Sequence, residues 1–272
     1  MGRWIDFDND YKTMDPYYME SIWWVVSKLW NLKLLYKSFY ILPYCPRCST
    51  ALSNFELNLG GYEEVQDPSL TIKFRLREEP NTYFLAWTTT PWTLPSNLAL
   101  ALGPEIVYVK VADGDENYIL ARERLGAYYR SEAEYTISAE YSGKELEGIE
   151  YEPLFPYFAF LAEKGAFRCF VGTHVSTEDG TGIVHTAPGF GEDDYTLLKD
   201  TDIPTVCPVD EEGRFTGEVQ DYSGIFVKDA DKHIIKDLKA KGLIVKHGAY
   251  LHSYPHCWRC HSPLIYRAVS SW

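Results

Sequence analysis

The sequence predicts an α+β fold that is mainly β, a barrel-like or curled sheet with helices at its periphery. Three observations lead there. Many short strand candidates are separated by turn residues, helical patterns are few, and two matching cysteine knuckles enclose the β region. With 272 residues, 46% of them hydrophobic, there is enough apolar mass for one large domain or two small ones. An aromatic share of 15% excludes a disordered chain. The apolar run at 22–26 is broken by Ser27 and Lys28, too short to span a membrane. The first ten residues carry three aspartates and no apolar core of a leader, so no signal peptide is expected. A fibrous chain and a secreted disulfide scaffold are excluded on the same composition.

The elements follow in order. Asp15 and Pro16 supply an N-cap and a first-turn proline for a helix through YYMESIWWVVSKLW. Its apolar residues (Ile22, Trp23, Val25, Val26, Leu29, Trp30) occupy more than one face. Such a helix is expected to be heavily buried, or to dock on a neighbour outside the chain. Leu70, Ile72, Phe74 and Leu76 alternate with Thr71, Lys73, Arg75 and Arg77, a strand period of two. Further strands are expected over 83–90, 106–111, 117–120, 167–171 and 182–186. Short helices are expected over 122–129 and 193–199. A longer one is expected over 229–241, with Ile234, Ile235 and Leu238 on one face and Gly242 as its stop.

The knuckles PYCPRCSTAL (43–52) and PHCWRCHSPL (255–264) share the pattern P-x-C-x-R-C-x-x-x-L. Cys45, Cys48, Cys257 and Cys260 thus form a set of four thiols. Two CxxC turns can close a tetrahedral zinc shell, and the arginine in each favours thiolate. One metal would then tie the two ends of the chain together. The alternatives are two independent reduced turns or a redox pair, although no βαβ context follows Cys45. Cys169 and Cys207 are expected to be buried fillers of apolar or proline-flanked strands.

Two polar clusters stand out. WTTTPWTLPSN (87–97) ends a strand in a loop rich in hydroxyls, with two prolines that release backbone groups from ladder pairing. It suits a ligand with several hydroxyls, and equally an ordinary threonine run at a strand end. GTGIVHTAPGFGEDDY (180–195) brings His185 at the end of an apolar strand, then a Pro-Gly turn, then an acidic helix start. His185 alone reads as a satisfied strand-end histidine, and Asp193 and Asp194 as helix caps. The glycines match no phosphate loop.

These clusters, with HSYPHCWRC and the terminal segments GRWIDFDNDYKTMDP and PLIYRAVSSW, resemble the isoleucyl-tRNA synthetases. The resemblance covers nearly the whole chain and corresponds to the editing insertion often called connective peptide 1, with its flanking stalk. Valyl and leucyl relatives typically carry an arginine where this chain has Thr90 and an acidic residue where it has Trp92, so the isoleucyl branch is indicated. The resemblance implies the barrel-like editing fold of the valyl, isoleucyl and leucyl enzymes with a helical, zinc-knuckle stalk. The implied divisions are a stalk helix and first knuckle over 1–54, an editing body over 55–245, and a returning stalk with the second knuckle over 246–272. No HxGH or KMSKS motif is present, so no ATP site and no aminoacylation are expected; the chain looks like a proofreading module of a larger enzyme.

The resemblance further implies hydrolysis of the ester joining a misattached valine to the 3′ end of tRNA(Ile). A pocket built for isoleucine rejects valine by only about 1–3 kcal/mol, a limit for which the isoleucyl enzymes are themselves the standard example. Residue by residue, Asp194 would pair with the α-ammonium and His185 would line the side-chain pocket and exclude isoleucine. Thr88, Thr89, Thr90 and Thr93 would hold the ester, the terminal adenosine and the water, with Asn97 supporting their loop. Trp87, Trp92, Gly189 and Asp193 would complete the substrate contacts. No nucleophilic serine or cysteine is implied, and no general base is assigned. The expected partners are the charged tRNA end and the rest of the synthetase, in a cytoplasmic, monomeric, membrane-free setting. The net charge of −13 predicts weak affinity for tRNA when this chain acts alone. A binding module that only captures the tRNA end is the rival reading. A zinc hydrolase is disfavoured, because four cysteines leave no open coordination position.

Overall fold

The computed structural model describes residues 4, 6 and 8–272. The leader expectation for 1–10 therefore falls partly outside the described residues. By its contacts the chain divides into two units, Met1–Tyr40 with Ser270–Trp272, and Ile41–Val269.

The smaller unit is built on helix α1 (Pro16–Asn31), which follows an extended Asp15 and carries proline in its first turn. None of its residues is buried; Trp23 and Trp24 are 71% and 62% exposed. The heavy burial that its apolar faces predict is therefore not found among the described residues. Trp30 does meet the ring of Trp272, with centroids 6.3 Å apart.

After α1 the chain continues with β1 (Ser38–Cys45), β2 (Thr50–Ala51), α2 (Asn54–Gly60), β3 (Tyr62–Arg75) and β4 (Thr82–Thr88). Next come β5 (Ala99–Leu102), β6 (Val107–Asp113), β7 (Glu116–Ala121), α3 (Leu125–Tyr128), β8 (Thr136–Ser142), β9 (Arg168–Val171) and β10 (Ile183–Thr186). It closes with α4 (Glu192–Leu198), α5 (Val227–Ala240), β11 (Ile244–Pro255) and β12 (Ile265–Ser271). The fold is mostly sheet. A curled path runs β8-β6-β7-β4-β10-β5-β9, and β3 joins β4 to β11.

The curl has a local cause at β4. One edge of β4 pairs with β3 from Tyr83 to Thr88. Its other edge is shared: Thr82–Phe84 pair with β7, and Trp87 pairs with Val184 of β10, both in parallel. Beyond that fork, β10 runs antiparallel to β5, with His185 opposite Leu100 and Thr186 opposite Ala99. The connection from β4 to β5 must therefore pass across the C-terminal end of β10. That crossing puts the threonine segment next to His185.

Both faces of the central strands are covered. The main core gathers Leu70, Ile72, Phe74, Phe84, Tyr108 and Tyr151, among others, and takes in Ile234 and Leu238 of α5. A second core on the opposite face holds Tyr83, Leu85, Val109, Val111, Tyr118, Leu120 and Leu125. Cys169 is buried in β9 as expected, whereas Cys207 is half-buried in an irregular segment and not in a strand. No described helix is long and apolar enough to cross a membrane.

Candidate active site

The C-terminal ends of β4 and β10 open on a cavity of about 320 Å³. It is lined by Trp87, Thr88, Thr89, Thr90, Thr93, Val184, His185, Ala187, Phe190 and Asp194. The two polar clusters, some ninety residues apart, thus share one chamber: Thr93 and His185 are 92 positions apart in the chain and hydrogen bonded.

The threonine wall is held by its own hydrogen bonds. β4 ends at Thr88, two residues before the expected strand end, and Pro91–Ser96 form a 3-10 turn. The Thr90 N–H donates to Thr88 Oγ1 at 3.0 Å, and the Thr93 hydroxyl donates to the Thr90 carbonyl at 2.8 Å. The hydroxyl oxygens of Thr88 and Thr90 are 3.2 Å apart.

His185 faces this wall with both ring nitrogens committed. The Asn97 amide donates one hydrogen to the Ala99 carbonyl at 2.8 Å and contacts His185 Nδ1 at 2.9 Å. A carbonyl only accepts, so the Asn97 nitrogen is on that side, and its second hydrogen points at Nδ1. Nδ1 is then the acceptor, and the proton sits on Nε2, which donates to Thr93 Oγ1 at 2.9 Å. Burial pushes the His185 pKa down to about 3, in keeping with a neutral ring. The imidazole is a fixed neutral wall with no free basic nitrogen.

Asp194 lies in the first turn of α4, where its Oδ2 accepts the Ala187 N–H at 2.8 Å. Gly191 permits this fold-back, since a Cβ there would sit 2.8 Å from the Asp194 carboxylate. Desolvation raises its pKa to about 6, against the Ala187 N–H that lowers it, with Asp193 adding a further rise. A cationic group brought into the cavity would pull that carboxyl back toward its ordinary value.

Four of the expected residues do not line the cavity. Trp92 is buried and stacks edge-on against Phe190, with centroids 4.9 Å apart. Asn97 is buried behind His185. Gly189 packs against backbone, where a Cβ would meet the Val206 carbonyl oxygen at 2.1 Å. Asp193 is exposed. The sequence reading missed Val184, Phe190 and the Ala187 N–H, and also Tyr151, whose hydroxyl donates to Asn97 Oδ1 at 2.7 Å from a wholly buried position. Tyr151 lies more than fifty residues beyond the threonine cluster, and nothing in its own neighbourhood marks it.

Away from the cavity, the sulfur atoms of Cys45, Cys48, Cys257 and Cys260 lie within 4.8 Å of one another. The Cys45 and Cys260 sulfurs are 3.5 Å apart, within reach of a weak S–H···S contact and with no disulfide between them. A tetrahedral zinc with 2.3 Å bonds sets neighbouring sulfurs about 3.8 Å apart, so the four thiols fit that ion.

Comparisons with known proteins agree with this architecture. The sequence profile of the tRNA synthetases class I (I, L, M and V) matches residues 1–272. The isoleucine–tRNA ligase of Treponema denticola is 57% identical over 304 residues, covering 100% of this chain and 28% of that protein. The cytoplasmic isoleucine–tRNA ligase of Schizosaccharomyces pombe is 50% identical over 281 residues, covering 100% of this chain and 26% of that protein. The chain thus spans about a quarter of the length of these relatives. Among solved structures, GlLeuRS-CP1 aligns with TM-score 0.51 at 17% identity, over 66% of this chain and 98% of that one. The P. knowlesi cytosolic leucyl-tRNA synthetase editing domain aligns with TM-score 0.51 at 15% identity, over 71% of this chain and 97% of that one. At such identity these two speak to the fold.

Proposed function

The chain belongs to the class I tRNA synthetases (I, L, M and V), on their isoleucyl branch, and from that premise we propose that its cavity is a post-transfer editing site. It hydrolyses the ester of valine misattached to tRNA(Ile) and excludes isoleucine by size. What carries the reading is one chamber that holds threonine hydroxyls, a neutral imidazole wall and a desolvated carboxylate together.

Asp194 takes the α-ammonium of the bound amino acid, a charge-assisted pairing in a partly dry site. Val184, Phe190 and the His185 ring border the side chain. The threonine hydroxyls and neighbouring backbone hold the ester and the attacking water. Water oxygen bonds to the carbonyl carbon, the ester C–O bond breaks, and a proton passes to the departing ribose oxygen. With both His185 nitrogens committed and Asp194 paired to the ammonium, no cavity side chain serves as general base. Rate then comes from positioning and fixed dipoles. Trp87 extends the wall toward Tyr250, with ring centroids 5.1 Å apart, a platform suited to the 3′ terminal nucleoside.

The four cysteines, in this reading, hold one structural zinc as a closed tetrathiolate in the knuckles at 43–52 and 255–264, within stalk segments 1–54 and 246–272 that flank the body at 55–245. The partners are the charged tRNA end and the remainder of the enzyme. The setting is the cytoplasm, as named for the S. pombe relative, and no ATP is used here.

Incubating the chain with valyl-tRNA(Ile) and isoleucyl-tRNA(Ile) tests the proposal. Valine is expected to be released and isoleucine retained, with Asp194→Ala slowing release about 100-fold. Activity is expected to rise with pH through about 6, as the Asp194 carboxyl loses the proton that blocks ammonium pairing. Equal hydrolysis by Asp194→Ala would remove the ammonium anchor, and capture of the tRNA end without hydrolysis would leave a binding module.

A further inference from the structure

Tyr151 is the innermost member of a hydrogen-bonded series that reaches the cavity. Its backbone N–H donates to the Phe167 carbonyl at 2.9 Å. Its ring is gripped edge-on by Phe74 and Phe167, with centroids 5.4 and 6.1 Å away. From that fixed base the hydroxyl donates to Asn97 Oδ1 at 2.7 Å. Burial holds the phenol well above its ordinary pKa, so the proton stays available for donation.

Each step has a settled direction, because the Ala99 and Thr90 carbonyls that the series serves can only accept. The Asn97 nitrogen serves the Ala99 carbonyl and His185 Nδ1. His185 Nε2–H serves Thr93, and the Thr93 hydroxyl serves the Thr90 carbonyl. If the Asn97 amide turned over, its oxygen would oppose the Ala99 carbonyl, and Nδ1 would have to carry the proton. Nε2 would then be a bare lone pair, able to hold Thr93 only by taking the hydroxyl proton from the Thr90 carbonyl. The Tyr151 hydroxyl favours the observed arrangement by satisfying the amide oxygen.

We propose that Tyr151 is a positioning residue for ester selection: through Asn97 it fixes the His185 tautomer and so makes the cavity wall unyielding. The selection part rests on the editing reading above. A wall that must refuse one methylene succeeds only if it cannot shift to admit it. A ring pinned at both nitrogens meets that requirement, and a ring pinned at one does not.

The test uses Tyr151→Phe in the full chain, with Tyr108→Phe as control. Tyr108 is also buried, and its hydroxyl accepts the Gly103 N–H and donates to the Gly182 carbonyl, outside the series. Two quantities are read: the 15N shifts of His185 in histidine-labelled protein, and the rates on valyl- and isoleucyl-tRNA(Ile). The wild type is expected to show the Nε2–H tautomer. Tyr151→Phe is expected to populate the second tautomer, and its preference for the valyl ester to fall about tenfold, chiefly through a faster isoleucyl rate. Tyr108→Phe is expected to leave both quantities unmoved.

An Nδ1–H tautomer in the wild type, unchanged tautomer and preference in Tyr151→Phe, or an equal change in Tyr108→Phe each overturns the proposal. If the wild type hydrolyses neither ester, the editing reading falls, and the His185 signal of Tyr151→Phe still decides the positioning role. Should Tyr151→Phe fail to fold, Asn97→Leu replaces it, since it cuts the link between Tyr151 and the His185 ring. An unchanged tautomer and unchanged ester preference in Asn97→Leu would overturn the proposal.

Discussion

The cavity and the cysteine cluster are two polar sites of the larger unit, and they are assembled in opposite ways. The cavity wall is held from within: Tyr151, Asn97, His185 and Thr93 each donate to the next, ending on the Thr90 carbonyl, at 2.7–2.9 Å. The cysteine cluster brings together four sulfurs that are poor hydrogen-bond partners for each other. Burial drives the Cys45 thiol up, against an N–H from Cys48 that lowers it, so this sulfur resists ionising on its own. The first site is preorganised by the protein, whereas the second, on the zinc reading proposed above, would gain its order from a cation bound in place of the thiol protons. The fold should therefore tolerate changes in the cavity better than changes in the cluster.

The largest effect is expected at the cysteines. The purified chain should carry about one zinc, and a strong chelator or Cys257→Ala should lower its unfolding free energy by on the order of 5 kcal/mol. Metal analysis and urea melts with and without chelator measure this. A chain free of zinc that melts normally would break the contrast, because the cluster would then be self-sufficient like the cavity.

A smaller effect is expected at His185. His185→Ala removes the ring that closes the cavity and leaves an Asn97 N–H without its acceptor. The unpaired donor should cost about 1–3 kcal/mol of stability. The preference for the valyl over the isoleucyl ester should fall by about 10–100-fold, the worth of one methylene against a wall. Loss of folding comparable to the cysteine variants would show that the series from Tyr151 to Thr93 is structural first.

Much of this was legible in the sequence, and the gaps have physical causes. The strands over 106–111, 117–120 and 182–186 were visible as short apolar runs, and β6, β7 and β10 occupy them with small shifts. β11 is not legible as a strand, because HGAYLHSYP carries glycine, histidines, serine and proline with no period-two apolar pattern, and it pairs with β3 along its length. β3 itself extends back through Pro68, since that pairing stabilises residues whose own propensity is poor. In β4 the period-two rule has no purchase, because one core covers each face and nearly every residue is buried. At the site, the residues alone read as an ordinary threonine run, a strand-end histidine and helix caps, and only the resemblance to the isoleucyl enzymes singled out the threonines, His185 and Asp194. The amide that orients the imidazole, and the tyrosine behind it, depend on contacts between distant segments, which no local pattern records.

The smallest effect is expected beneath the threonine segment, at a buried carboxylate that the proposed reaction does not use. Asp231 of α5 takes the Trp92 backbone N–H, and its Oδ1 is buried without a hydrogen-bond partner. Burial raises its pKa to about 7, against Lys228, which lowers it, while Asp67 adds to the rise. The folded chain therefore holds this proton more tightly than the unfolded chain, where an aspartate titrates near 3.9. Stability from this group is full below about pH 4 and falls as pH rises toward 7, because folding then has to strip solvent from a charge. Asp231→Asn keeps an oxygen for the Trp92 N–H and cannot ionise. It should match the wild type near pH 4 and exceed it by about 1–2 kcal/mol at pH 8, read from urea unfolding at the two pH values. An equal gain at both would trace the effect to packing, and a loss at pH 8 would show that Lys228 already compensates the charge. In that last case the contrast between a self-satisfied cavity and ligand-dependent groups would stop at the cysteines.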